Sequence, residues 1–69
     1  MKISARNVLK GKVKSIKHGS VNSEITMETP KNLQIVSIIT KKSAQSLRLS
    51  KGKDVYAVIK ATNVMIAID

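Results

Sequence analysis

Apolar and polar residues alternate along most of this chain with a period near two, the pattern of half-buried strands. The first predicted strand covers residues 7–16, with Leu9, Gly11 and Val13 on one face and Lys10, Lys12 and Lys14 on the other. Ile16 breaks that alternation, which predicts a bulge near Lys14 and Ser15. Lys17-His18-Gly19-Ser20 reads as a turn, and His18 beside its glycine reads as an ordinary surface residue. Val21, Ser23, Ile25 and Met27 then alternate with Asn22, Glu24, Thr26 and Glu28 as the second strand. Thr29-Pro30-Lys31-Asn32 closes it, and residues 33–40 form the third. Val55, Ala57 and Ile59 mark a fourth strand, and Val64, Ile66 and Ile68 a fifth.

One short helix interrupts this series. Ser43 is placed to cap Ala44-Gln45-Ser46-Leu47-Arg48, with Leu47 as the apolar anchor, and Ser50-Lys51-Gly52-Lys53 ends it. Five strands with a helix between the third and fourth is the order of an all-β, OB-type Greek-key barrel. No repeat or linker divides the chain, so residues 1–69 read as one domain. Val36, Ile38, Tyr56, Val58, Met65 and Ala67 make the reverse faces of the last three strands apolar as well. A barrel of this size cannot bury both faces, and the surplus predicts a subunit interface.

Composition narrows the chemistry. With 69 residues the core is thin, and small domains need disulfides, a metal or oligomerisation. There is no cysteine, and His18 is the sole histidine, so disulfides and thiolate metal sites are excluded and oligomerisation remains. Thirteen Lys and Arg against four Asp and Glu give a formal charge of +9, which attracts anions. No apolar run approaches a membrane span, and Arg6 and Lys10 follow the amino terminus too closely for a signal peptide, so the expectation is a cytoplasmic protein. No nucleophile-base pattern, carboxylate pair or glycine-rich phosphate loop is present, so no enzyme is expected.

Three polar segments interrupt the strands: Ser4-Ala5-Arg6-Asn7, Thr40-Lys41-Lys42-Ser43 and Lys60-Ala61-Thr62-Asn63. Each has an ordinary reading, as a lead-in, a helix cap and a turn. Together they supply hydroxyl, guanidinium, ammonium and backbone N–H donors with no acceptor carboxylate, a set suited to a fully deprotonated oxyanion. The lysine row on the first strand reads as a solvated face that also blunts a sheet edge. A nucleic acid is the alternative partner, since charge and fold permit it. Single-strand binders rely on aromatic stacking, however, and Tyr56 is the only aromatic residue.

Ser4-Ala5-Arg6-Asn7 with Leu9-Lys10-Gly11, Gly19-Ser20-Val21-Asn22 followed by Glu24, Ile39-Thr40 with Ser43, and Leu49, Gly52, Val55, Ile59-Lys60-Ala61 and Val64 stand at spacings that resemble the molybdopterin-binding-protein (Mop) family. These are the molbindins, whose fold is also called the TOBE domain. The resemblance spans essentially the whole chain. It implies a cytoplasmic protein that stores or buffers molybdate as a hexamer built from three intimate dimers; tungstate, of nearly the same size and charge, is expected to bind with little discrimination. It also implies a principal site between subunits, with Ser4, Ala5 and Arg6 from one and Thr40, Ser43, Lys60 and Ala61 completing the shell. A second type of oxyanion site would fall on Ser20, Val21 and Asn22, although the family more often has alanine where this chain has Ser20. No pterin cofactor is expected, because aromatic residues to stack on one are missing. Any metal would be bound only as its oxyanion.

Overall fold

The computed structural model describes residues 1–69. Its elements run β1 (Asn7–His18), β2 (Asn22–Glu28), β3 (Gln34–Thr40), α1 (Lys41–Ser46) and β4 (Asp54–Ile59), followed by a 3₁₀ turn at Ala61–Asn63. The strands form one antiparallel sheet in the order β3-β2-β1-β4. The sheet is curled into an OB-like half-barrel that stays open between its edge strands β3 and β4.

Side-chain alternation on β1 follows the sequence pattern. Gly11 and Val13 are buried, while Lys10, Lys12 and Lys14 are exposed. The register against β2 slips between Val13 and Ser15, so the bulge falls where Ile16 breaks the pattern. Gly11 is required where β1 crosses β2: a Cβ there would run into the Glu28 carbonyl oxygen and come within 2.7 Å of the Met27 methyl. The β2–β3 turn is closed by Asn32 in the left-handed region (φ 64°), which asparagine tolerates, and by Thr29 N–H donating to the Leu33 carbonyl at 2.9 Å.

Val13, Ile25 and Ala44 form the buried core, with Ile16, Ile39, Leu49 and Val55 half-buried around it. Only six residues of the 69 are buried, so a single chain is short of core. Ile25, Met27, Ile35, Ile39, Leu49, Val55 and their neighbours line an apolar recess between the β3 and β4 edges, where Ser37 is the one residue that is not hydrophobic.

Four predicted features differ. The sheet has four strands, not five: residues 64–69 run on without a ladder, and Met65, Ile66 and Ile68 are 93%, 87% and 94% exposed. Strand-like alternation gives a segment a face but no partner, and within one chain this segment meets no edge. Lys60-Ala61-Thr62-Asn63 is accordingly a 3₁₀ turn and not a hairpin connection. Lys17 and His18 belong to β1, because cross-strand pairing to Glu24 and Ser23 carries the strand on to the glycine. The helix starts at Lys41 with Thr40 as its cap, so Ser43 lies inside the first turn. Its anchor is Ala44, while Leu47 is 59% exposed, because a helix lying this close to β2 and β3 admits only a small side chain at its contact.

Candidate functional site

The Thr40 side chain organises the β3–α1 junction. Its backbone is extended (φ −67°, ψ 147°), and its Oγ1 accepts from the Ser43 N–H at 3.0 Å, the usual N-cap bond. The same hydroxyl donates to Ser43 Oγ at 2.7 Å. The Ser43 hydroxyl hydrogen is thereby left free to donate elsewhere. Lys41 N–H donates to the Val21 carbonyl at 2.7 Å, which ties this junction to the β1–β2 turn.

That turn carries Ser20, Val21 and Asn22, all exposed, and Asn22 pairs with Thr40 across the ladder. The two predicted oxyanion sets, Thr40 with Ser43 and Ser20-Val21-Asn22, therefore share one end of the sheet. His18 joins them. Its Nδ1 lies 2.6 Å from Ser23 Oγ, a hydroxyl on a residue that is 1% exposed, and both line a shallow recess with Lys17, Gly19, Asn22, Glu24 and Ile38. The sequence reading missed this pair. Counting back from a β1–β2 turn at Gly19 would have set His18 opposite Ser23.

The remaining predicted residues sit at the other end. Asn7 pairs with Ile59, so Ser4, Ala5 and Arg6 before β1 and Lys60 and Ala61 after β4 leave the sheet at the same edge. Lys60 is the extended residue leading into the 3₁₀ turn (φ −64°, ψ 131°), and Ala61 is its first residue. Ala5 is half-buried and the other four are exposed. The chain's two ion pairs, Lys12–Asp54 at 2.8 Å and Lys14–Glu28 at 3.1 Å, leave the Arg6 and Lys60 cations uncommitted. Between the two ends lies the whole 12-residue β1, roughly 35–40 Å along the strand's path. One chain thus holds two donor sets far apart, Ser4, Arg6 and Lys60 at one end and the Thr40 and Ser43 hydroxyls beside Lys41 and Lys42 at the other.

The lysine row borders the largest concavity, with Lys51, Gly52, Glu28 and Asp54 opposite. Here acceptors accompany the donors. The Gln34 amide, and after it the Lys14 ammonium, holds the Glu28 carboxyl below its ordinary range, and Lys12 does the same to Asp54. Two of the four lysines on this face, Lys12 and Lys14, are thus paired with carboxylates. No helix is long and apolar enough to cross a membrane.

Residues 3–66 match the model of the TOBE domain. Among curated proteins, molybdenum-pterin-binding protein 1 of Clostridium pasteurianum is 46% identical over 66 residues, covering 96% of this chain and 97% of that one. Among solved structures, apo MopII from Clostridium pasteurianum superposes with a TM-score of 0.93 at 43% identity, covering 97% of this chain and all of that one. The cytoplasmic molybdate-binding protein ModG, in a crystal form with molybdate bound, gives 0.91 at 43% identity over 94% of this chain and 46% of that one.

Proposed function

From a chain that belongs to the TOBE-domain family, among its small Mop proteins, we propose the following function: it binds molybdate as a free oxyanion, in sites shared between subunits of an oligomer. The observation that carries this reading is the separation of the donor sets. Arg6 and Lys60 stand uncommitted at one end of the sheet, and the Thr40–Ser43 hydroxyl pair stands at the other. Neither set alone surrounds a tetrahedral dianion. Joined across two chains, they match its four acceptor oxygens with hydroxyls, backbone N–H groups and two cations. Ser4, Ala5 and Ala61 supply the close backbone approach, since small side chains leave their N–H groups open.

Tungstate presents the same charge and shape and is bound alike. The ligand is the oxyanion itself and not a pterin, for the chain has no Phe or Trp and a single Tyr to stack one. Ser20, Val21 and Asn22 form a second, weaker oxyanion site. The assembly is a hexamer of three dimers in the cytoplasm, where it stores or buffers molybdate without catalysing a reaction. ModG, described as a cytoplasmic molybdate-binding protein, supports the molybdate ligand and the cytoplasmic location, and the name of the Clostridium relative supports a molybdenum-containing ligand.

Calorimetric titration tests the reading. Molybdate and tungstate should release heat with the parent chain, while an oligonucleotide should bind only at low salt. Arg6→Ala and Lys60→Ala should each weaken molybdate binding tenfold to a hundredfold, because a hydrogen bond to a charged group contributes about 1.5–3 kcal/mol. Lys12→Ala should change it far less, since that lysine is exposed and already paired. Silence at Arg6 and Lys60, with losses along the lysine row, would indicate diffuse electrostatics in place of a built site. Tight oligonucleotide binding in physiological salt without heat from molybdate would favour the nucleic-acid alternative.

A further inference from the structure

We propose that the first half of β1 is a docking edge for an extended acidic peptide segment of another protein, which adds itself as a strand beside Val8 and Lys10. These residues belong to neither oxyanion donor set, so the docking does not rest on the molybdate reading.

The edge follows from the way β1 changes partners. Its residues 7–12 pair with β4 and its residues 12–18 with β2, so the strand is flanked by ladders on both sides only around Lys12. Val13 N–H donates to the Lys53 carbonyl at 2.9 Å, and the Val13 carbonyl accepts from Gly52 N–H at 2.8 Å, both on the β4 side. Backbone groups point to alternate sides along a strand, so Gly11, Leu9 and Asn7 face β4 as well. Val8 and Lys10 therefore aim their N–H and C=O groups the other way. There the ladder with β2 begins only at the Lys12–Glu28 pair. Beyond Glu28 the chain closes on itself: Thr29 N–H donates to the Leu33 carbonyl and Asn32 N–H to the Thr29 carbonyl, both at 2.9 Å. Val8 and Lys10 thus keep open donors and acceptors on a strand whose other side is held, the arrangement that strand addition uses.

Charge selects the occupant. Lys10 is exposed and has no ion-pair partner, and it borders the largest concavity together with Lys51, which has none either. A strand laid against this edge sets a side chain about 5 Å from that of Lys10 across the new ladder. Pairing the same edges of two copies would bring Lys10 toward Lys10. The lysine that blunts self-pairing is for the same reason complementary to a carboxylate. Three of the chain's four acidic residues, Glu24, Glu28 and Asp54, already lie inside paired strands, and copies at +9 repel, so the complementary strand comes from another protein. Val8 and Leu9 are half-buried and favour apolar, β-branched neighbours, so the fitting segment mixes such residues with its carboxylates.

Hydrogen exchange read by NMR tests the edge, with a short capped peptide alternating glutamate and valine as the probe. In the free protein the Val8 and Lys10 amides should exchange far faster than those of Leu9 and Gly11. Saturating peptide should protect Val8 and Lys10, and saturating molybdate should not displace it. The same peptide with its valines replaced by proline cannot complete a ladder and should not bind. Lys10→Glu should weaken peptide binding at least about tenfold, the loss of one hydrogen bond to a charged group. Val8→Pro removes an edge donor while leaving the β4 ladder its own groups, and should weaken binding too. Should that variant not fold, Lys10→Glu decides. Val8 and Lys10 amides protected before any peptide is added would mean an edge already filled by a second copy, and would overturn the proposal. So would a Lys10→Glu protein that binds the peptide like the parent. Equal binding of the valine and proline peptides would reduce the contact to charge, and competition by molybdate would move it to an oxyanion site; either result overturns strand addition here. An oligonucleotide that protects these amides in physiological salt, where the peptide does not, would overturn it in favour of nucleic acid.

Discussion

Gly11 is the residue on which the sheet's curl depends. It stands on the buried face of β1, where a side chain would strike the backbone of Glu28, and backbone cannot step aside as a flexible side chain can. Gly11→Ala should therefore cost about 1–3 kcal/mol or more in urea unfolding, the usual range for overpacking. Gly52 differs: its φ of 90° is the constraint, and nothing lies within 4 Å of an added Cβ. A Gly11→Ala chain as stable as the parent would mean that β1 can shift off β2. At Arg6 and Lys60 a substitution should leave stability nearly unchanged, because neither cation has an ion-pair partner to lose.

At the scale of the element, α1 shows how one hydroxyl sets a boundary. Six residues make a marginal helix, so its cap matters more than its propensities. Thr40→Ala should lower stability by about 1 kcal/mol, and Thr40→Ser should restore most of it. Ser43→Ala should cost less, since the Ser43 N–H that Thr40 accepts is backbone and survives. Urea midpoints of the three variants test that order; a larger loss at Ser43 would return the cap to the residue that sequence alone favoured. At the far end of the helix, Lys53 Nζ donates to the Leu47 carbonyl at 2.6 Å and the Arg48 carbonyl at 3.2 Å, satisfying orphan acceptors where Arg48 turns left-handed.

For the whole molecule, the excess of positive charge makes its few carboxylates informative. Glu28 and Asp54 titrate lower in the folded chain than in the unfolded one, through Gln34 and Lys14 in the first case and Lys12 in the second. The stability they add is therefore present above the unfolded carboxylate pKa of about 4 and is lost as pH falls through the folded values. Asp54 is exposed and Glu28 half-buried beside solvent, so the contribution is small and fades with salt. The thermal midpoint of the parent should stay level from pH 8 to about 5 and decline below about 4, more gently in a Glu28→Gln/Asp54→Asn variant. Equal declines in the two proteins would assign acid sensitivity to the self-repulsion of a chain at +9.

Local patterning alone determined the strand faces, the β1 bulge, the solvated lysine row, the polar segments and the shortage of core, because each depends on residues adjacent in the chain. The family resemblance was legible for the same reason, as a set of spacings. What the tertiary structure decided is non-local. Whether an alternating segment becomes a strand depends on an available edge, and residues 64–69 find none in their own chain. The cap fell to Thr40 because the last β3 residue, held extended by its ladder to Asn22, can reach forward to the Ser43 amide. His18 met Ser23 only through cross-strand register. The division of the candidate site into two ends also came from register: Asn7 lies opposite Ile59 and Asn22 opposite Thr40, with the length of β1 between them. Spacing along a chain cannot encode that distance, because antiparallel pairing brings residues 52 positions apart to one edge while holding neighbouring motifs at opposite ends.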